Sequence, residues 1–130
     1  MNAATCADTV PPLIALGAVA TLVSAATRRT VPLVDLFEAP YRTRARRGEL
    51  LTAVTFAPLP AGSGSAFIKL GRRNALSIAR LSVAAVLILD NQGVITEARI
   101  VPGAAVPTWR RFPGAEKILL GRKPTPALFT

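Results

Sequence analysis

Chemistry has few places to reside in this chain. It has no histidine and a single cysteine, Cys6. A self-contained zinc site and a Ser-His-Asp or Cys-His nucleophile are therefore excluded, because each needs imidazole or several thiolates. An internal disulfide is excluded on the same count. Cys6 reads as a small buried hydrophobe rather than a redox group. What remains are groups that bind rather than react. Asp8 stands just before Pro11-Pro12, where a carboxylate serves as a helix cap. Further on, Gly48-Glu49-Leu50-Leu51 opens an apolar run, a Pro/Gly/Ser stretch follows, and a second run carries Lys69 before Arg72-Arg73. By residue type alone, Lys69 is a cation near a strand end and the arginine pair belongs to a solvated turn.

These groups need elements to hold them. The helix signalled by Asp8 and Thr9 runs to about Leu16 and stops near Gly17. Residues 18–24 alternate loosely and predict a strand. A turn over 25–30 follows, and residues 31–33 return beside it. Residues 33–37 read as a short helical turn, and 38–47 as a polar, basic loop around Pro40 and Tyr41. Residues 50–56 predict a half-buried strand with Leu50, Thr52, Val54 and Phe56 on one face. Pro58, Pro60, Gly62 and Gly64 force a loop. Residues 65–70 form the next strand and 72–76 turn. Residues 78–89 are apolar except for Arg80 and Ser82 and predict a largely buried strand. Asp90-Asn91-Gln92-Gly93 is a hairpin turn, with Asn91 and Gly93 taking the unusual backbone angles. Residues 94–101 pair back. Residues 113–120 read as a helix stopped by Gly121, and the rest as a linker. The fold class is α+β, mainly antiparallel sheet with a few short helices.

At 130 residues the chain suffices for one domain with a modest core. Half of it is hydrophobic, which argues against disorder. The net charge of +9 comes mostly from thirteen arginines. Such an excess reads either as compositional bias or as a small basic module for an acidic partner or nucleic acid. No aromatic platform or nucleic-acid motif accompanies the arginines, so nucleic acid is not the expected partner. Residues 10–26 carry no charge and precede Arg28-Arg29. That run is at the short limit for a membrane span, starts on two prolines and lacks a basic leader, so no span is expected. The lone cysteine fits a reducing, cytoplasmic setting.

Four segments, in order, carry a family likeness. Asn2-Ala3-Ala4-Thr5-Cys6-Ala7-Asp8 is similar to Asn-Ala-Ser-Pro-Ala-Ala-Asp, and residues 31–37 to Val-Pro-Leu-x-Asp-Phe-Phe. Residues 48–73 contain Gly-Glu-Leu-Leu and end in Lys-Leu-Gly-Arg-Arg. Residues 99–108 look like Arg-Ile-x-x-Gly-x-x-Ala-Pro-Thr. Together they resemble the FAD-binding (medium) subunit of the molybdenum hydroxylases, the xanthine dehydrogenase and carbon monoxide dehydrogenase family. The departures are Thr5 in place of a proline, the Phe56-Ala57-Pro58 strand end, Pro102, and Trp109 directly after the last motif.

The resemblance implies the end of an FAD-binding subdomain over 1–58, a loop over 59–64, and the start of a flavoprotein C-terminal domain over 65–130. It also implies roles. Asp8 matches a flavin-contacting position, where a carboxylate accepts hydrogen bonds from sugar hydroxyls, and a capping role can coexist with that. Leu50 and Leu51 match a pair that gives the flavin ring a dry flank, although a strand with one residue in and one out reads the same way. Lys69 matches a lysine near the polar part of the cofactor, with a simple strand-end lysine as the alternative. Arg72 and Arg73 border the flavin face in the family. The implied cofactor is FAD, with molybdopterin in a large partner subunit and 2Fe-2S clusters in a small one. Electrons would pass from those clusters to FAD and on to NAD or another acceptor. The family's phosphate-cradling glycine-rich segments would precede Asn2 and its closing helices would follow Thr130. The chain is therefore expected to be an internal piece that binds FAD weakly by itself.

Overall fold

The computed structural model describes residues 2–73 and 77–129. Helix α1 (Val10–Ala15) begins on Pro11 and Pro12, whose fixed φ suits a first turn. It ends where Gly17 turns to φ +72° and the Ala18 amide closes on the Leu13 carbonyl at 2.9 Å. Capping departs from expectation. Thr9 holds the N-cap position with helical angles and no side-chain bond, while the Asp8 carboxylate is turned to another partner, described below.

Strand β1 (Val19–Val23) is the centre of a three-stranded antiparallel sheet, flanked by β2 (Arg28–Pro32) and β5 (Leu50–Thr55). Ser24 and Thr27 tie the β1–β2 turn through Ser24 N–H to Thr27 O at 2.8 Å. A 3-10 turn, Leu33–Leu36, follows and buries Leu33 and Leu36. The segment expected as a plain basic loop contains a small two-stranded ribbon, β3 (Phe37–Ala39) with β4 (Arg42–Thr43). Tyr41 at its tip takes φ +60°, which composition does not announce.

Two strand expectations need correction. In β5 the predicted face of Leu50, Thr52, Val54 and Phe56 is broken by a bulge between Thr21 and Leu22 of β1. Leu51 pairs with Leu22 and Val54 with Ala20, so Leu51 and Val54 share the core side. Phe56 lies beyond the strand and is half exposed. The run expected as a largely buried strand becomes β7 (Leu81–Leu89) with alternating burial. Ser82, Ala84 and Val86 are buried, while Leu81 and Val83 are exposed. The physical reason is that α1 packs on one face only.

β7 is the centre of a second antiparallel sheet, between β6 (Ser63–Leu70) and β8 (Ile95–Gly103). In the β7–β8 turn only Gly93 takes positive φ, and Asn91 does not. Asp90 organises the turn instead, its Oδ1 accepting from the Gln92 and Val94 amides at 2.9 Å each. Helix α2 (Pro113–Leu119) packs Leu119 on Ile95 and Ala98, and Gly121 ends it at φ +75°. The expected linker contains one more 3-10 turn, Pro126–Leu128. The turn expected over 72–76 has residues 74–76 outside the described ones.

One core joins the two sheets. Ile14 and Ala15 of α1, Ala20 and Leu22 of the first sheet, and Ala84, Val86 and Val101 of the second are buried together. Trp109 meets Phe37 edge-on there, with centroids 4.5 Å apart. The uncharged run over 10–26 is divided between α1 and β1. Among the described residues, no helix is long and apolar enough to cross a membrane.

Candidate functional site

Asp8 and Lys69 lie 61 residues apart in sequence, one just before α1 and the other near the end of β6. The fold joins them: Lys69 Nζ donates to Asp8 Oδ2 at 2.6 Å. Lys69 reaches Asp8 because it pairs with Ser82 of β7, whose side chain is on the α1 face of the second sheet. The side chains are 27% and 42% exposed, so the pair is half in water. The other oxygen differs. Asp8 Oδ1 is buried and has no hydrogen-bond partner among the described residues. A carboxylate oxygen in that position is an acceptor with its valence unused.

Ala7 and Thr9, on either side of Asp8, line an apolar cavity of about 450 Å³. Val10 and Leu13 of α1, Leu33, and Leu51 with Val54 of β5 close it. Leu51 enters because the β1–β5 bulge turns it to the α1 side. Leu50 faces the other way and is 71% exposed. The predicted leucine pair is therefore divided, one residue in the cavity wall and one on the outer surface. Arg72 and Arg73 are exposed and line a different pocket of about 520 Å³, with Ile78 and Arg80. Cys6 is a half-buried free thiol. No group of three metal-binding side chains occurs among the described residues.

Sequence reasoning overlooked the residue that fixes the start of β5. Glu49 lies within Gly48-Glu49-Leu50-Leu51, where residue type alone points to no role for it. Its carboxylate, 3% exposed, accepts from Arg29 Nε at 2.7 Å and Nη2 at 2.8 Å, and from the Arg46 amide at 2.6 Å. Arg29 Nη2 also donates to the Arg44 carbonyl at 2.9 Å. The bidentate Arg29 guanidinium, with help from the Arg46 amide, pulls the Glu49 carboxyl down to about 2 from an ordinary 4.5. A lone carboxylate amid Arg42, Arg44, Arg46 and Arg47 was the available signal.

The comparisons with known proteins divide the chain in the same sense as its two sheets. Residues 1–60 match the FAD binding domain in molybdopterin dehydrogenase, and residues 65–130 match the CO dehydrogenase flavoprotein C-terminal domain. The chain is 35% identical over 108 residues to the 6-hydroxypseudooxynicotine dehydrogenase complex subunit alpha of Paenarthrobacter nicotinovorans, covering 83% of this chain and 36% of that one. It is 34% identical over 117 residues to a putative xanthine dehydrogenase FAD-binding subunit of Escherichia coli K12, covering 89% and 40%. A carbon monoxide dehydrogenase structure from Hydrogenophaga pseudoflava superimposes with a TM-score of 0.88 at 28% identity, covering 98% of this chain and 44% of that one. The chain thus spans about two fifths of the length of the relatives it matches. Its α+β fold and both matched segments show that the chain belongs to the FAD-binding (medium) subunit family of the molybdenum hydroxylases.

Proposed function

We propose that this chain supplies one wall of the FAD site of a molybdenum hydroxylase flavin subunit. Asp8, Leu50, Leu51 and Lys69 would be the contacts. The observation that carries the reading is the Asp8–Lys69 pair beside the apolar cavity, with Asp8 Oδ1 buried and unpartnered. Asp8, Leu51 and Lys69 fit the group, while Leu50 lies on the opposite face of β5. Asp8, whose side chain is 42% exposed, would serve as an acceptor for a hydroxyl of the cofactor's polyol chain. Lys69 holds Asp8 through Oδ2 and adds a positive charge that favours an anionic ligand. Leu51 keeps water from the ring flank, and Leu50 offers apolar surface on the outer side.

When bound in the complete subunit, FAD would supply the redox chemistry, relaying electrons from the iron–sulfur clusters of a small partner subunit to NAD or another acceptor. Molybdopterin would belong to a large partner subunit, and the assembly would work in the cytoplasm. In this reading residues 1–58 end the second FAD-binding subdomain, 59–64 link, and 65–130 begin the C-terminal domain.

These four residues offer an acceptor, a cation and two apolar side chains, and no turn of amides for a pyrophosphate. The chain by itself is therefore expected to bind FAD more weakly than micromolar. Fluorescence anisotropy of FAD against the chain tests this. Asp8→Ala and Lys69→Met should each weaken binding further. Unchanged affinity in Asp8→Ala, or submicromolar affinity in the wild type, would contradict the reading.

A further inference from the structure

The cavity wall nearest Asp8 is built from a segment without regular structure. Residues 2–8 form neither helix nor strand, yet Asn2, Ala3, Ala4 and Ala7 line the cavity and Asp8 ends the run. Groups outside the segment must hold it in shape. Two amides from distant loops do so. The Tyr41 amide donates to the Ala3 carbonyl at 3.0 Å, and the Ala104 amide donates to the Thr5 carbonyl at 3.1 Å. Within the segment, the Ala7 amide closes on the Ala4 carbonyl at 3.0 Å.

Both distant donors have unusual backbones. Tyr41 takes φ +60° and Ala104 takes φ +59°, and Ala3, one of the acceptors, takes φ +47°. These are the non-glycine residues with positive φ among the described residues, and all of them meet at this segment. A Cβ makes the left-handed region unfavourable, so each is kept there by its surroundings. At Tyr41 the backbone matters rather than the side chain. The residue is 69% exposed at the tip of the β3–β4 ribbon, while its amide donates to buried Ala3. Ala104 follows Gly103 at the end of β8, so the segment is held from both sheets' surroundings.

We infer that Tyr41 and Ala104 are positioning residues of the flavin site, whose left-handed backbones aim two amides that hold the 2–8 segment, and Asp8 with it, in its binding-ready shape. On the flavin reading, on which this rests, neither residue touches the cofactor. Lys69 fixes the Asp8 side chain from β6, and the two amides fix the backbone that carries it. A wall fixed before the ligand arrives loses little freedom on binding, so loosening it lowers affinity although no contact is removed.

The test compares two substitutions at Tyr41 in the full chain. Tyr41→Gly keeps the amide and adopts positive φ freely, whereas Tyr41→Val disfavours it through a branched Cβ. Amide hydrogen exchange of the unliganded chain reads the hold, and a nitrogen-15 titration with FAD reads its consequence. In Tyr41→Val the protection of the Ala7 amide should fall about tenfold and FAD affinity should weaken about tenfold. In Tyr41→Gly both should stay within about threefold of wild type. The Ile95 amide, bonded to the Arg122 carbonyl far from the segment in sequence, should keep its protection in both. Ala104→Gly against Ala104→Val carries the test if Tyr41→Val unfolds. Equal Ala7 protection in the two Tyr41 variants, an equal loss at Ile95, or unchanged FAD affinity in Tyr41→Val would each overturn the proposal. Absence of any FAD response in the wild type would instead overturn the flavin reading, and the Ala7 comparison would still decide whether Tyr41 holds the segment.

Discussion

Replacing Gly103 with alanine probes how α1, and with it Asp8, is seated. Gly103 ends β8 opposite Ser82, and Pro11 lies over it. A Cβ built there would overlap Ser82 Oγ and stand 2.8 Å from Pro11 Cγ. The proline ring is rigid and α1 starts on it, so the helix must lift away. Overpacking of this kind costs about 1–3 kcal/mol. The lost flexibility of the unfolded chain offsets about 0.4–1 kcal/mol of that. The net expectation is about 1–2 kcal/mol of destabilisation, or roughly 4–8 °C in Tm for a chain of this size. Urea titration followed by circular dichroism measures it. Adding Ser82→Ala removes the closer clash, leaving Ser82 Cβ at an ordinary 3.7 Å, and should return about 1 kcal/mol. A neutral or stabilising Gly103→Ala would refute the argument that close helix–sheet approach requires glycine here.

Three further outcomes follow from the charged groups. Buried Glu116 accepts from Arg111 Nε at 2.9 Å, Arg111 Nη2 at 3.0 Å and the Ile100 amide at 2.9 Å, so Glu116→Ala should cost about 2 kcal/mol in urea titration. Glu116→Gln should cost less, because it keeps an acceptor for Ile100. The Glu49 carboxyl lies at about 2 when folded against 4.5 ordinarily, so its contribution is complete above about pH 4.5 and is lost as pH falls towards 2. Stability measured across that window should fall for the wild type and fall less for Glu49→Gln. A double-mutant cycle on Asp8→Asn and Lys69→Met should give a coupling of about 0.5 kcal/mol, as for a half-exposed pair. Zero coupling would mean that the bridge does not persist in solution.

Local signals gave the element order, and pairing gave the rest. Pro11-Pro12 and Gly17 bracket α1, and Gly93 and Gly121 mark the turn and the helix stop, because each rule acts within a few residues. The β5 face is not legible in the sequence because its bulge arises from pairing with the distant strand β1. The alternating burial of β7 is not legible because coverage of a strand depends on which helices pack on it. The Asp8 side chain leaves the cap because Lys69, on a distant strand, is the stronger partner for a carboxylate. At the site, the resemblance singled out Asp8 and Lys69 separately. Their contact, the unpartnered Oδ1 and the Glu49 clamp are tertiary facts that no spacing in the sequence encodes.

The most direct test of the flavin reading is a nitrogen-15 NMR titration of the chain with FAD, mapped residue by residue. The account predicts shifts concentrated at Asp8, Leu50, Leu51 and Lys69, with the Asp8 amide losing its response in Lys69→Met. Shifts confined to other surfaces, or an Asp8 response indifferent to Lys69, would contradict it.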